Sequence, residues 1–237
     1  MDEKEALAQL QHLLETPEEL DPELAAYLTE TEHGFWALRH PLVYHVPYHQ
    51  TMNALANAAL KGKREEVAEA RQSKDWRRYL FLHERPYRID AFTHICWQMG
   101  SKTYWELLGS IWTDTENLWQ NQNEWRQCLT AERSCRNHLM KPEERATLKL
   151  YPSQFPVYRG YSAPGTLLGL SWTTNPVIAK FFARRLAEPD SLRFVARGTV
   201  RRRDVLAYFN GRDEGEMVVL PENVFDIEIE EVPRGKA

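Results

Sequence analysis

The spacing of apolar residues changes once along this chain, near residue 150, and that change limits the folds open to it. Before it the spacing is helical. Ala6, Leu7, Leu10, Leu13 and Leu14 fall on one helical face within Glu3 to Glu15, and Pro17 and Pro22 then mark breaks and restarts. Thr51 to Arg71 is rich in Ala, Leu, Glu and Lys, all good helix formers. Asp90 is placed to cap a helix that runs through Met99 and closes at Gly100. A further helical region spans Thr103 to Leu129, with Thr113 and Glu116 at the spacing of a capping box, and Lys141-Pro142-Glu143-Glu144 reads as another helix start.

From Val157 onward strand signals dominate. Val157 to Gly160, Gly169 to Thr173, Leu192 to Val200, Glu216 to Leu220 and Val224 to Glu230 read as strands. One helix interrupts them, starting at Asn175-Pro176 and running to Leu186, with Val177, Ile178, Phe181 and Phe182 on its buried side. Arg201 to Asp213 reads as a loop with one helical turn at Asp204 to Ala207. The pattern predicts an α+β protein: a helical domain or subdomain over 1–150, of unassigned role, and a β-rich domain of packed antiparallel or mixed sheets over 151–237.

Charge and cysteine content narrow the function classes. Net charge is −4 over 237 residues, which argues against a broad basic surface for duplex nucleic acid. The average hides an asymmetry, because Arg159 to Arg212 holds ten basic and three acidic residues, +7 in all, leaving −11 elsewhere. Such a field suits a dinucleotide's phosphates, a single-stranded nucleic acid or an acidic protein partner; for Arg201 to Arg203 a solvated face is an equal alternative. No apolar stretch is long enough to span a bilayer, and the acidic start Met-Asp-Glu-Lys-Glu-Ala lacks the layout of a secretory signal, so a cytoplasmic location is expected. Cys96, Cys128 and Cys135 show no Cys-x-x-Cys spacing and are expected to be reduced, partly buried thiols. His40, His45 and His49 flank Pro41 and Pro47 without a metal-binding motif, and no metal is expected. Trp105, Trp112 and Trp119 are seven apart, with Trp97 and Trp125 nearby; an aromatic core face is favoured over a base-stacking platform.

Four short signals follow in a fixed order: Arg159-Gly160, Ser171-Trp172-Thr173-Thr174, Tyr208-Phe209-Asn210-Gly211 and Glu214-Gly215-Glu216. An arginine can fork onto a pyrophosphate, a hydroxyl can orient a side chain, and a carboxylate can stabilise a sugar cation. Glu214 and Glu216 share a face if strand pairing reaches that far, and like charges so close raise one pKa. Taken alone, the pair also fits an exposed acidic hairpin end.

The order of arginine, Ser-x-Thr and Glu-x-Glu resembles the Arg-Ser-Glu class of mono-ADP-ribosyltransferases, which includes cholera-type and iota-type toxins and vertebrate arginine-specific ecto-enzymes. The resemblance spans about Val157 to Glu230. It implies a glycosyltransferase that uses NAD as co-substrate, with no metal, in the manner of a bacterial or phage toxin or effector. Arg159 would then bind the NAD phosphates, Gly160 the nicotinamide carboxamide, and Thr173 would support the pocket. Ser171 would orient Glu216, the catalytic glutamate. Glu214 would address the acceptor, with Tyr208 or Phe209 in the recognition turn.

A glutamate at position 214 implies a protein arginine as acceptor, ahead of an RNA or DNA base, since a protonated guanidinium needs a nearby base to become a nucleophile. An inhibitor or regulatory protein is a further implied partner; a membrane is not. Trp172 departs from the small residue usual at the centre of the Ser-x-Thr motif, and alternation points it away from Ser171. An NAD glycohydrolase on the same scaffold and a noncatalytic interaction protein are the alternative readings.

Overall fold

The computed structural model describes residues 18–115, 118–162, 167–185 and 191–233. The expected helix over Glu3 to Glu15 and the Glu116 half of the capping box lie outside the described residues. Two compact units divide the chain, Met1–Ile95 and Cys96–Ala237. The division therefore falls well before the change in spacing, and the helices between residues 101 and 150 share a unit with the strands that follow.

In the first unit α1 (Pro22–Ala25) is capped by Asp21, whose side chain accepts from the Glu23 N–H. Strands β1 (Leu28–Glu30), β2 (Trp36–Arg39) and β3 (Tyr44–Tyr48) then form an antiparallel sheet. This corrects the expectation of an entirely helical first half. The strands are three to five residues long, and β2 buries two adjacent residues, Ala37 and Leu38, between exposed ones, so no period-two signal exists to be read. The helices α2 (Asn53–Gln72), α3 (Trp76–Leu82) and α4 (Arg88–Ile95) follow. Asp90 lies in the first turn of α4 rather than at its cap. Leu24, Leu38, Leu42, Val43, Ala56 and Leu60 form the core between sheet and α2.

The second unit begins with α5 (Ser101–Asp114), α6 (Gln122–Leu129) and α7 (Pro142–Leu150). Thr113 is inside α5, not at a helix start. The α7 start is as expected, with Pro142 in the first turn and the Glu144 carboxylate accepting from the Lys141 N–H at 2.9 Å. Strands β4 (Gln154–Ser162), β5 (Ser171–Thr173), β6 (Arg193–Arg201), β7 (Val205–Phe209), β8 (Glu216–Val219) and β9 (Val224–Glu231) form one six-stranded antiparallel sheet in the order β7-β8-β5-β4-β6-β9. A single sheet replaces the packed sheets expected. Within the segment read as a loop, Val205–Phe209 is strand β7, which pairs with β8 and buries Ala207, Tyr208 and Phe209, and the single helical turn lies at Arg202–Asp204 rather than at Asp204 to Ala207.

Helix α8 (Pro176–Arg185) crosses β4. Its buried face is Ala179 and Ala183; Val177 and Phe181 are exposed, contrary to expectation. Small residues are required because α8 lies almost on the backbone of β4, where a Cβ at Gly160 would come within 1.8 Å of the Ala179 carbonyl oxygen. Phe155, Val157, Trp172, Met217 and Val219 form the sheet core, while Trp105, Trp112 and Trp125 are buried in the helices. Trp97 and Trp119 are exposed, so only part of the tryptophan run is core. No helix among the described residues is long and apolar enough to cross a membrane.

Candidate functional site

The central strands β4, β5 and β8 carry the signals that the sequence separates by 57 positions, from Arg159 to Glu216. Thr173 lies directly opposite Glu216 in the β5–β8 pair, with Ser171 opposite Val218. Residues two apart on a strand share a face, so Ser171 and Thr173 both flank Glu216. The diagonal neighbour makes the contact: the Ser171 hydroxyl donates to Glu216 Oε1 at 2.5 Å. Trp172 turns to the opposite face, buried in the sheet core, its indole N–H donating to the Gly169 carbonyl at 3.1 Å.

Thr173 holds a turn rather than the carboxylate. Its hydroxyl donates to the Glu214 carbonyl at 2.5 Å and accepts from the Asn175 N–H at 3.0 Å. Glu214 is outside β8, and Gly215 beside it has φ +55°. Only a residue tolerant of the left-handed region fits there, and an added Cβ would meet Thr174 Oγ1 at 2.8 Å. Asn210 closes the same turn, accepting from the Gly215 N–H at 3.0 Å. Glu214 and Glu216 therefore face one cleft through a glycine turn, not through the strand period.

Arg159 on β4 reaches the same cleft, where its guanidinium donates to the Ser171 carbonyl at 2.6 Å. Its Nε is buried without a hydrogen-bond partner among the described residues. Gly169 makes room for it, since a Cβ there would overlap the guanidinium at 2.0 Å. Burial pulls the Arg159 pKa down to about 10, against the opposing influence of Glu216 and then Tyr161, so the group remains a cation at neutral pH.

Burial likewise raises the Glu216 pKa above the usual carboxylate range. The hydrogen bonds from Ser171 and Trp112 oppose that rise, the Glu214 charge adds to it, and Arg212 opposes it.

The cleft has a volume of about 480 Å³, within the range of small-molecule sites. Apolar walls come from Leu170, Ile178, Phe182 and Phe209, and cations from Arg159, Arg185 and Arg212. This donor set fits an anionic ligand with apolar rings: three cations line the space, and one buried guanidinium N–H lacks a partner among the described residues. Tyr208 and Phe209 separate by strand alternation. Phe209 lines the cleft, stacked on Trp112 with ring centroids 6.4 Å apart, whereas Tyr208 packs into the sheet core against Tyr151. Of the two aromatics expected as alternatives for the recognition turn, Phe209 is the one that lines the cleft. Phe182, assigned to the core by spacing, also lines the cleft, and Phe181 does not.

Two residues of the site escaped the sequence reading. Trp112, from α5, donates its indole N–H to Glu216 Oε2 at 3.1 Å, although its spacing read only as core. Arg212 donates to the Thr113 carbonyl at 2.9 Å, tying the β7–β8 turn to the end of α5. Nothing in the local pattern pairs residues about a hundred positions apart.

Elsewhere, Cys96, Cys128 and Cys135 form no disulfide among the described residues and are half-buried, buried and exposed. Burial pushes the Cys128 thiol up to about 12, which keeps it protonated. His40 pairs with Glu23 in the core of the first unit. No group of three or more His, Cys, Asp or Glu suited to a metal ion occurs among the described residues. No protein-family model, curated protein or solved structure matches the chain.

Proposed function

We propose that this protein is an NAD-dependent mono-ADP-ribosyltransferase that modifies a macromolecule in the cytoplasm, acting as a toxin or effector. The observation that carries the reading is the Ser171 hydroxyl on Glu216 in a cleft that also contains buried Arg159. Those are the residues to which the resemblance of their motifs assigns roles in NAD cleavage.

The chemistry follows from their charges. Arg159 binds the pyrophosphate, with Arg185 and Arg212 available to share its charge. Ser171 holds Glu216 so that its carboxylate faces the nicotinamide ribose. The bond between C1′ of that ribose and the nicotinamide nitrogen breaks, nicotinamide leaves with the electron pair, and Glu216 stabilises the positive charge developing on the sugar. A nitrogen of the acceptor then bonds C1′ and gives up a proton. Glu214 is the base for that proton, which favours an arginine side chain over a nucleobase as acceptor.

Incubation with NAD labelled in the adenylate phosphate, together with cell protein or RNA, tests the reading. Label on protein, abolished by Glu216→Ala in a folded variant, is the expected result. Label on RNA overturns the acceptor assignment, and free ADP-ribose without labelled macromolecule identifies a glycohydrolase. Absence of both label and released nicotinamide from folded wild-type protein removes the NAD reading altogether.

A further inference from the structure

We infer that Trp112 is a positioning residue for Glu216, a helix-borne indole that fixes the carboxylate from the side opposite Ser171; this deepens the proposed NAD chemistry and rests on it.

The geometry is a clamp with one donor on each oxygen. Ser171 on β5 donates to Oε1, and Trp112 on α5 donates to Oε2 at 3.1 Å. An ionised carboxylate offers about four lone-pair sites, so two remain for a ligand hydroxyl. Rotation about the carboxylate's own bond breaks both contacts together, and the clamp holds it in one plane.

Both donors are neutral, and that choice matters. An arginine or lysine in either place would hold the carboxylate but cancel the field it directs at a developing cation. Arg159, which lines the same cleft, instead spends a guanidinium N–H on the Ser171 carbonyl. Neutral N–H and O–H groups favour the ionised form while leaving its charge on view to the cleft.

Satisfying a core indole does not by itself account for the contact. Trp125 packs edge-on against Trp112 with centroids 5.0 Å apart, and its own Nε1 is buried with no partner among the described residues. This core tolerates an unpaired indole N–H, yet the Trp112 N–H is aimed at the Glu216 carboxylate. The end of α5 is also tied to the turn before Glu216, through Arg212 on the Thr113 carbonyl.

The test separates hydrogen bonding from packing. Trp112→Phe keeps an aromatic ring beside Trp125 and Phe209, and β-(3-benzothienyl)alanine at position 112 keeps the indole shape with sulfur in place of N–H. Two readouts are taken on each protein: the titration of Glu216 by carbon-13 NMR of labelled glutamate side chains, and the pH dependence of nicotinamide release. The charged groups facing Glu216 are Arg159 on β4 and Arg212 and Glu214 in the turn, and none is changed.

Loss of one hydrogen bond to a charged group predicts a kcat about tenfold lower with KM within about twofold of wild type. The Glu216 titration and the acid limb of the rate profile both move to higher pH, by about one unit for a tenfold change. A benzothienyl variant with wild-type titration and wild-type kcat overturns the inference and leaves Trp112 a packing residue. If wild-type protein releases no nicotinamide while the Glu216 titration still moves in both variants, the clamp stands and the NAD reading falls.

Discussion

Each unit of this protein buries a titratable side chain, and the two are treated in opposite ways. In the first unit His40 is 4% exposed, and both ring nitrogens are engaged: Nε2 with Glu23 at 3.0 Å and Nδ1 accepting from the Leu42 N–H at 3.1 Å. In the second, Glu216 has neutral donors on its oxygens, a second carboxylate nearby, and an open cleft in front of it. His40 is enclosed by its partners and serves the fold. Glu216 keeps an uncancelled charge in a place that penalises charge, which costs stability and has a use only if something binds beside it.

The sharpest way to break that contrast is Glu216→Gln. Nicotinamide release is expected to fall by at least about a hundredfold, the scale of losing a main electrostatic contact to a transition state. Because the pKa of Glu216 is raised in the folded protein, its ionised form opposes folding above the ordinary range near 4.5 and not below it. The stability of the same variant relative to wild type is therefore expected to rise from pH 4 to pH 7, seen as a Tm difference that moves in its favour. A difference that moves the other way would place Glu216 with His40 as a structural group.

Gly160→Ala probes the scaffold beneath the site. The added methyl meets the Ala179 carbonyl and the Ala183 nitrogen, so α8 must move off β4, at a cost of about 3 kcal/mol in denaturant unfolding. His40→Ala comes next, at about 2 kcal/mol, with nicotinamide release unchanged under conditions where the variant is folded. Burial holds the His40 pKa below 6.5, opposed by Glu23. Its contribution is complete above that value and fades as pH falls through it; wild type is expected to lose more stability than His40→Ala between pH 7.5 and pH 5.5 as measured by thermal melts. The smallest effect is expected from Tyr208→Phe. Since Tyr208 faces the sheet core, nicotinamide release should stay within about twofold of wild type and stability within about 1 kcal/mol.

The helices with strong propensity or clear start signals were legible in the sequence, α2 and α7 above all, as were strands β6, β8 and β9. Strands β1 to β3 were not, because short segments without alternation owe their form to pairing with one another. Strand β7 was hidden by the basic and turn residues around it and exists through its ladder to β8. The face of α8 was misread for a related reason: apolar side chains mark where a helix can be buried, but the close approach at Gly160 admits only the alanines.

For the site, the local chemistry of Arg159, Ser171 and Glu216 was readable as residue types in an order. Sequence alone also determined the single helix among the later strands, the basic segment and the turning of Trp172 away from Ser171, since propensity, charge and strand alternation are properties of neighbouring residues. Tertiary structure decided what depends on residues far apart: that Ser171 rather than Thr173 touches Glu216, that Phe209 and not Tyr208 faces the cleft, and that an indole from α5 completes the carboxylate's surroundings. Register and helix docking set those contacts, and both arise from burying surface across the whole unit, which no local pattern encodes.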